Sequence, residues 1–138
     1  MNIKRANWRL ALVVVCASLL AGACGGDDNG TGPPAPLPGQ LTVNVSTSGS
    51  PGAAFKLTVT GDGISSPVKV GTSHQLYTFA SGDTLKAAVI GTVSTGELLK
   101  FSVPDVNRAS SYRVTLNEVA GSDNALLPLG SFSVSVSQ

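Results

Sequence analysis

The fold class is decided by two stretches of sequence, Leu41-Thr42-Val43-Asn44-Val45 and Phe55-Lys56-Leu57-Thr58-Val59. In both stretches an apolar residue alternates with a polar one. Because successive side chains of a strand point to opposite faces, this period of two predicts strands with one buried and one solvated face. Strands of that kind are typical of antiparallel sheets.

Six further stretches repeat this alternation along the chain. Their apolar residues are Val68 and Val70; Tyr77 and Phe79; Leu85, Ala87 and Val89; Leu99, Phe101 and Val103; Tyr112, Val114 and Leu116; and Phe132, Val134 and Val136. Clusters of Gly, Asp, Ser and Pro separate them, and no stretch shows sustained helical spacing. Eight short strands within residues 40–138 predict an all-β fold, an antiparallel β-sandwich of immunoglobulin-like size.

One local pattern resembles a known feature of such sandwiches. Pro104-Asp105 ends one predicted strand, and Tyr112 begins the next. This arrangement resembles the tyrosine corner of immunoglobulin and fibronectin type III domains. The resemblance implies that the ring of Tyr112 is buried and that its hydroxyl bonds to the backbone between Pro104 and Arg108. A cohesin-like sandwich is the alternative topology.

The amino-terminal residues have the pattern of an export signal. Lys4, Arg5 and Arg9 are followed by an uncharged stretch, residues 10–23. As a helix that stretch is about 21 Å long at ~1.5 Å per residue, which is shorter than the roughly 30 Å hydrocarbon core of a bilayer. A signal peptide over residues 1–23 therefore explains it better than a membrane-spanning anchor.

The end of this segment, Leu20-Ala21-Gly22-Ala23-Cys24, resembles the lipobox of bacterial lipoproteins. The resemblance implies that Cys24 carries a diacylglyceryl group in thioether linkage, that the chain is cleaved before Cys24, and that the protein is held on a membrane. Cys16 would be removed with the signal peptide. The alternative is ordinary cleavage after Ala23, which would leave a secreted or periplasmic protein.

Residues 24–39 are predicted to form a tether between the anchor and the sandwich. The stretch is rich in Gly and Pro and carries one large apolar residue, Leu37. Such a composition cannot form a core and is typical of a spacer. Gly25 follows the cysteine where the lipoprotein sorting rules place Asp for inner-membrane retention, so the resemblance implies the outer membrane or the cell surface.

Composition excludes several functional classes. The formal net charge is +1 and charged residues make up 12% of the chain, so no basic surface for nucleic acid is expected. His74 is the only histidine and is predicted to be a solvated turn residue. Glu97 and Glu118 are the only glutamates, and nothing in the sequence places them around one cleft. We therefore expect no catalytic residues and no cofactor.

No metal site is expected either. Asp27-Asp28-Asn29 lacks the spacing of a calcium loop. The aspartates of the later turns are interpreted as turn formers, with a shared calcium site as the alternative; they are Asp62, Asp83, Asp105 and Asp123.

The combined expectation is a noncatalytic, monomeric envelope lipoprotein that serves as a binding, adhesion or structural module. The six aromatic residues after Cys24 are all expected in the buried phase of their strands; they are Phe55, Tyr77, Phe79, Phe101, Tyr112 and Phe132. This expectation ranks an envelope protein partner, bound at a sheet edge or at the turns, above a sugar ligand. The alternatives are a secreted glycan-binding accessory module and a small envelope enzyme.

Overall fold

The structure is a computed structural model that describes residues 34–138. The predicted signal peptide, the lipidation site Cys24, Cys16 and the Asp27–Asn29 stretch lie outside these residues. Within residues 34–138, no helix combines the length and the apolar character needed to cross a membrane.

Eight strands make up the described domain. They are β1 (Gly39–Thr47), β2 (Gly52–Thr60), β3 (Ser65–Lys69), β4 (Gln75–Ser81), β5 (Thr84–Val93), β6 (Gly96–Val103), β7 (Arg113–Ala120) and β8 (Phe132–Ser137). Two short 3₁₀ helices, Val106–Ser111 and Leu129–Ser131, lie in the connections before β7 and β8. Each predicted alternating stretch overlaps a strand, although Val70 lies just after β3 and Tyr112 just before β7.

The strands form two four-stranded antiparallel sheets. The first sheet has the order β3-β6-β1-β8, and the second has the order β4-β5-β2-β7. Among the described strands, β4 and β5 are the only consecutive pair that are hydrogen-bonded neighbours. Their connection is the two-residue turn Gly82–Asp83, which has a positive φ of 55° at Gly82. The predicted all-β sandwich is confirmed, while the immunoglobulin-like and cohesin-like topologies stay predictions.

The core lies between the sheets and is built from the predicted apolar positions of four strands. The alternating apolar residues of β1, β2, β5 and β6 are all buried. Those of β7 and β8 are half-buried at one side of the sandwich, and Tyr112, which directly precedes β7, is buried. Leu98 is buried together with its neighbour Leu99, because a register shift between Val43 and Asn44 lets both leucines face the core.

Strand β3 departs from the predicted core pattern. Val68 is exposed and Val70 is half-buried. The strand lies at the edge of the first sheet, where Ser66 has a positive φ of 46° and the pairing with β6 shifts register between Ser65 and Val68. The irregular backbone therefore turns Val68 away from the core.

Candidate functional site

Strand β4 presents its two aromatic side chains to solvent. Tyr77 is 59% exposed and Phe79 is 66% exposed, so the prediction that they are buried is wrong. The register with β5 places Leu76 opposite Val89, which belongs to the core, and Tyr77 opposite Ala88. Because directly opposite residues point to the same face, Tyr77 and Phe79 lie on the outer face of the second sheet.

The other four aromatic residues, which were also predicted to be buried, are buried or half-buried. Phe55, Phe101 and Tyr112 are buried, and Phe132 is half-buried with its ring edge-on to Phe55 at a centroid distance of 5.9 Å. Two of six aromatic residues are thus free to contact a ligand, and they are neighbours on one strand.

Apolar residues from the other three strands continue this surface. Ile90 on β5 and Leu126, which follows β7, are 46% and 74% exposed. Between them lies a shallow depression of about 120 Å³ that includes Ala54, Ala88 and Ala120 in its lining. We call the surface formed by these residues with Tyr77 and Phe79 the aromatic face. It offers two rings and an adjoining apolar hollow.

Charged groups also belong to the aromatic face, because Lys56 and Glu118 line its hollow. Lys56 Nζ lies 3.2 Å from Glu118 Oε1 across β2 and β7, and both side chains are largely exposed. Lys86 is the register partner of Phe79. The hydroxyl of Tyr77 donates a hydrogen bond of 2.7 Å to Gln75 Oε1. The aromatic face therefore combines two rings at the sheet edge with a lysine beside them and an ion pair that lines the hollow.

The outer face of the first sheet has a different character along β1 and β8. Its outward residues there are polar, and they bond to one another across the two strands. Ser46 Oγ and Ser133 Oγ are 2.7 Å apart, and Asn44 Nδ2 donates to Ser137 Oγ at 3.0 Å. These hydroxyl and amide groups already have partners, which makes the aromatic face the better candidate for binding.

His74 is a structural residue in this fold. The prediction of a solvated turn histidine is wrong, because His74 is only 5% exposed. Its Nε2 lies 2.8 Å from the carbonyl oxygen of Leu98 and donates to it. A Cβ added at Gly91 would lie 2.6 Å from His74 Cβ, so any larger residue at position 91 would clash with the histidine. The hydrogen bond ties the residue before β4 to β6 of the other sheet.

Tyr112 is buried, and its hydroxyl reaches the backbone at an unexpected place. It is 7% exposed, and its hydroxyl donates to the carbonyl oxygen of Asp62 at 2.7 Å. The predicted partner between Pro104 and Arg108 is therefore wrong, because the side chain points to the turn between β2 and β3. Burial, and then the nearby Asp62 carboxylate, raise the pKa of the Tyr112 phenol.

Two of the turn aspartates accept hydrogen bonds from backbone N–H groups. Asp105 Oδ1 accepts hydrogen bonds from the backbone N–H groups of Asn107 and Leu37, at 3.0 and 3.1 Å. Asp123 Oδ1 accepts one from Ala125 N at 3.1 Å. Both are roles that aspartate commonly takes in turns and caps.

The remaining carboxylates do not converge. Glu97 lies on the first sheet near Lys100, at 3.6 Å, and Glu118 lies on the second sheet beside Lys56. Over the part of the chain that the structure describes, no three His, Cys, Asp or Glu side chains come together in a way that could hold a metal ion. Within residues 34–138, the aromatic face is the surface best suited to binding, through apolar contact and ring stacking.

Sequence reasoning missed the aromatic face for an identifiable reason. The stretch Leu76-Tyr77-Thr78-Phe79-Ala80 carries apolar residues in both phases, and the larger side chains suggested the wrong one. No family model, no curated protein and no solved structure matches this chain.

Proposed function

We propose that this chain is a noncatalytic, lipid-anchored envelope protein that binds another envelope protein through its aromatic face. The observation that carries the proposal is the clustering of four large apolar side chains, each about half exposed or more, on one side of the domain: Tyr77, Phe79, Ile90 and Leu126. Contiguous exposed apolar surface of this kind marks interaction sites in soluble domains.

The aromatic residues of the surface also fit a protein interface. Aromatic residues are enriched at the centres of such interfaces, and charged residues are confined to their rims. The aromatic face has the aromatic residues of such a centre, Tyr77 and Phe79 on the edge strand β4, but its lysines, Lys86 and Lys56, lie on the inner strands β5 and β2 rather than at a rim. The alanine-lined hollow beside them can accept an apolar side chain of the partner.

The anchor and the location are inferred from the sequence. Leu20–Cys24 supports lipidation at Cys24, and the residues between Cys24 and the sandwich support a tether that holds the domain away from the lipid surface. Gly25 supports the outer membrane or the cell surface as the destination. Cleavage without lipidation, giving a secreted or periplasmic protein, is the alternative.

Site-specific photo-cross-linking in the intact envelope tests the protein partner. A photoreactive phenylalanine analogue replaces Phe79 in one version of the full chain and Ser135, on the outer face of the first sheet, in the other. We expect a discrete cross-linked product with a second protein species from position 79 and none from position 135. Equal products from both positions, or no product with another protein from position 79, would overturn the proposal.

A glycan ligand is the second candidate, and one observation favours it. Tyr77 and Phe79 place two rings side by side on an open sheet face, and ring faces are suited to stacking. Polar groups that can bond to hydroxyls, such as Gln75 and Lys86, lie beside the rings.

Co-sedimentation with purified peptidoglycan tests this second candidate. The full chain, the Tyr77→Ser/Phe79→Ser variant and a Ser133→Ala/Ser135→Ala control are compared. Retention of the full chain and the control, with loss in the first variant, would support a glycan ligand. Equal behaviour of all three chains would contradict it.

A further inference from the structure

We propose that β4 pairs edge to edge with β4 of a second copy of this chain, joining two sandwiches through one continuous eight-stranded sheet. The proposal rests on the proposed function only in using Tyr77 and Phe79, and it concerns the strand edge rather than the face. It replaces the expectation of a monomer.

The edge of β4 is open and regular. It pairs with β5 on one side, with no register shift from Gln75–Ile90 to Ser81–Thr84, and no strand of its own sheet lies on the other side. Its sequence, residues 75–81, contains no charge and no proline. Natural edge strands usually carry such features because an unprotected edge is a template for pairing with another chain.

The other three described edges are less suited to pairing. Strand β3 contains Pro67, which has no N–H to donate, and its backbone is irregular at Ser66. Strand β7 has a register shift against β2 and carries Arg113 and Glu118. Strand β8 is regular, but its outward residues are serines, which offer no apolar cross-strand contact.

The hydrogen-bonding direction along β4 follows from its turn. Ser81 and Thr84 close a two-residue hairpin, and such a hairpin closes on a hydrogen-bonded pair. Since hydrogen-bonded pairs alternate along an antiparallel ladder, Phe79 and Tyr77 also bond to β5. The N–H and C=O groups of Leu76, Thr78 and Ala80 therefore point to the open edge.

The sequence of β4 is self-complementary about Thr78. When two copies run antiparallel around a two-fold axis at Thr78, Tyr77 of each copy lies opposite Phe79 of the other. Thr78 faces its own copy in a hydrogen-bonded pair, so the two Tyr–Phe pairs occupy non-hydrogen-bonded positions, where side chains are closest. Aromatic pairs are among the favourable cross-strand pairs of antiparallel sheets.

Charge does not oppose this arrangement. The paired strands are uncharged, and the nearest cation on the same face is Lys86, one strand back in each copy. The two Lys86 strands are separated by three strand spacings, about 14 Å. That separation exceeds the Debye length of about 8–10 Å at physiological salt, so their repulsion is screened.

Cysteine cross-linking of the full chain in envelope membranes tests the pairing. Thr78→Cys places two thiols across the two-fold axis, where the Cα–Cα distance of about 5.5 Å in a hydrogen-bonded pair permits a disulfide. Thr115→Cys, exposed at the opposite edge of the same sheet, is the matched control. The chain without added cysteine provides the background. We expect a disulfide-linked product of twice the chain mass from Thr78→Cys and background levels from Thr115→Cys.

A second pair of variants tests the aromatic contribution. Adding Tyr77→Ser and Phe79→Ser to the Thr78→Cys chain should weaken association at least about fivefold, because both aromatic pairs are lost. Adding Leu129→Ser, an exposed apolar residue in the 3₁₀ helix before β8, should leave the yield unchanged. Equal yields of the disulfide-linked product from Thr78→Cys and Thr115→Cys would overturn the pairing. An unchanged yield from Thr78→Cys after both rings are replaced by serine would overturn it as well.

The two proposals fail in different ways. A Thr78→Cys product with a different protein would overturn self-pairing and support the proposed function. A product of two copies from Thr78→Cys, with no second protein captured from position 79 by the photoreactive group, would support self-pairing and overturn the envelope protein partner.

Discussion

At the scale of single residues, Tyr112 connects two parts of the chain that are far apart in sequence. Its hydroxyl donates to the carbonyl oxygen of Asp62, and a Cβ added at Gly61 would collide with its ring. Tyr112→Phe leaves the carbonyl of Asp62 without this donor and should lower the free energy of unfolding by about 1 kcal/mol. Tyr112→Ala adds a cavity, for a loss of about 3–5 kcal/mol. The exposed Tyr77 is the control, since Tyr77→Phe should be close to neutral. Midpoints of denaturant unfolding at constant slope measure all three, and a neutral Tyr112→Phe would contradict the role of the hydrogen bond.

The raised pKa of Tyr112 also makes stability depend on alkaline pH. In the unfolded chain the phenol ionises near its ordinary value of about 10, while in the folded domain it keeps its proton to higher pH. The folded state then binds more protons than the unfolded state, so stability falls as pH rises above about 10. Unfolding free energies across this window should show a steeper decline for the natural chain than for Tyr112→Phe. Parallel curves for the two chains would count against burial as the cause.

At the scale of elements, two apolar side chains of β4 differ in burial because they point to opposite faces of the sheet. Leu76 is half-buried against the core, whereas Phe79 is exposed. Leu76→Ala should therefore lower the free energy of unfolding by about 1–2 kcal/mol, below the ~2–5 kcal/mol of a fully buried leucine. Phe79→Ala, although it removes a larger side chain, should stay within about 0.5 kcal/mol of the natural chain. A larger loss of unfolding free energy for Phe79→Ala than for Leu76→Ala in chemical denaturation would contradict the exposure of Phe79.

The same strand shows how far the sequence predicts the molecule. Alternation placed eight strands and most of the core, because a period of two is a local property of strands with one buried face. Alternation did not predict burial correctly where the pairing of strands determines it, as at Phe79, at the consecutive Leu98 and Leu99, and at His74. The aromatic face could not be predicted from the sequence. Its alanines, Ala54, Ala88 and Ala120, come together only through the strand order β5-β2-β7.

At the scale of the whole molecule, the start of the domain affects its stability. The compact unit runs from Ala35 to Gln138. Leu37 donates to Asp105 through its N–H and accepts a hydrogen bond of 2.8 Å from Val106 N through its carbonyl. A chain beginning at Ala35 should fold with a β-type circular dichroism spectrum, and one beginning at Gln40 should be less stable by about 1–3 kcal/mol because these bonds are lost. Equal denaturation midpoints would show that Leu37 contributes nothing.

The proposed anchor is testable on the complete protein. Cys24→Ser removes the thiol that would carry the lipid, and each buried methylene of an acyl chain contributes about 0.8 kcal/mol to membrane binding. The variant should lose lipid labelling and move from the membrane fraction to the soluble fraction. Ser50→Ala, an exposed substitution within the sandwich, should keep the distribution of the natural chain. Retention of an uncleaved Cys24→Ser protein on membranes would contradict the lipoprotein assignment.

The strand order has a consequence for how the domain forms. With one exception, each described strand pairs with strands that are not its neighbours in the chain. The chain must therefore close long loops, at a cost in conformational entropy, before most contacts form. Sandwiches of this kind fold in milliseconds to seconds, whereas a hairpin closes in about 1–10 μs. The exception is the β4–β5 hairpin, which is therefore the element best able to form early. It also carries the open aromatic edge, so during slow refolding at high protein concentration the same strand is the most exposed route to misassembly.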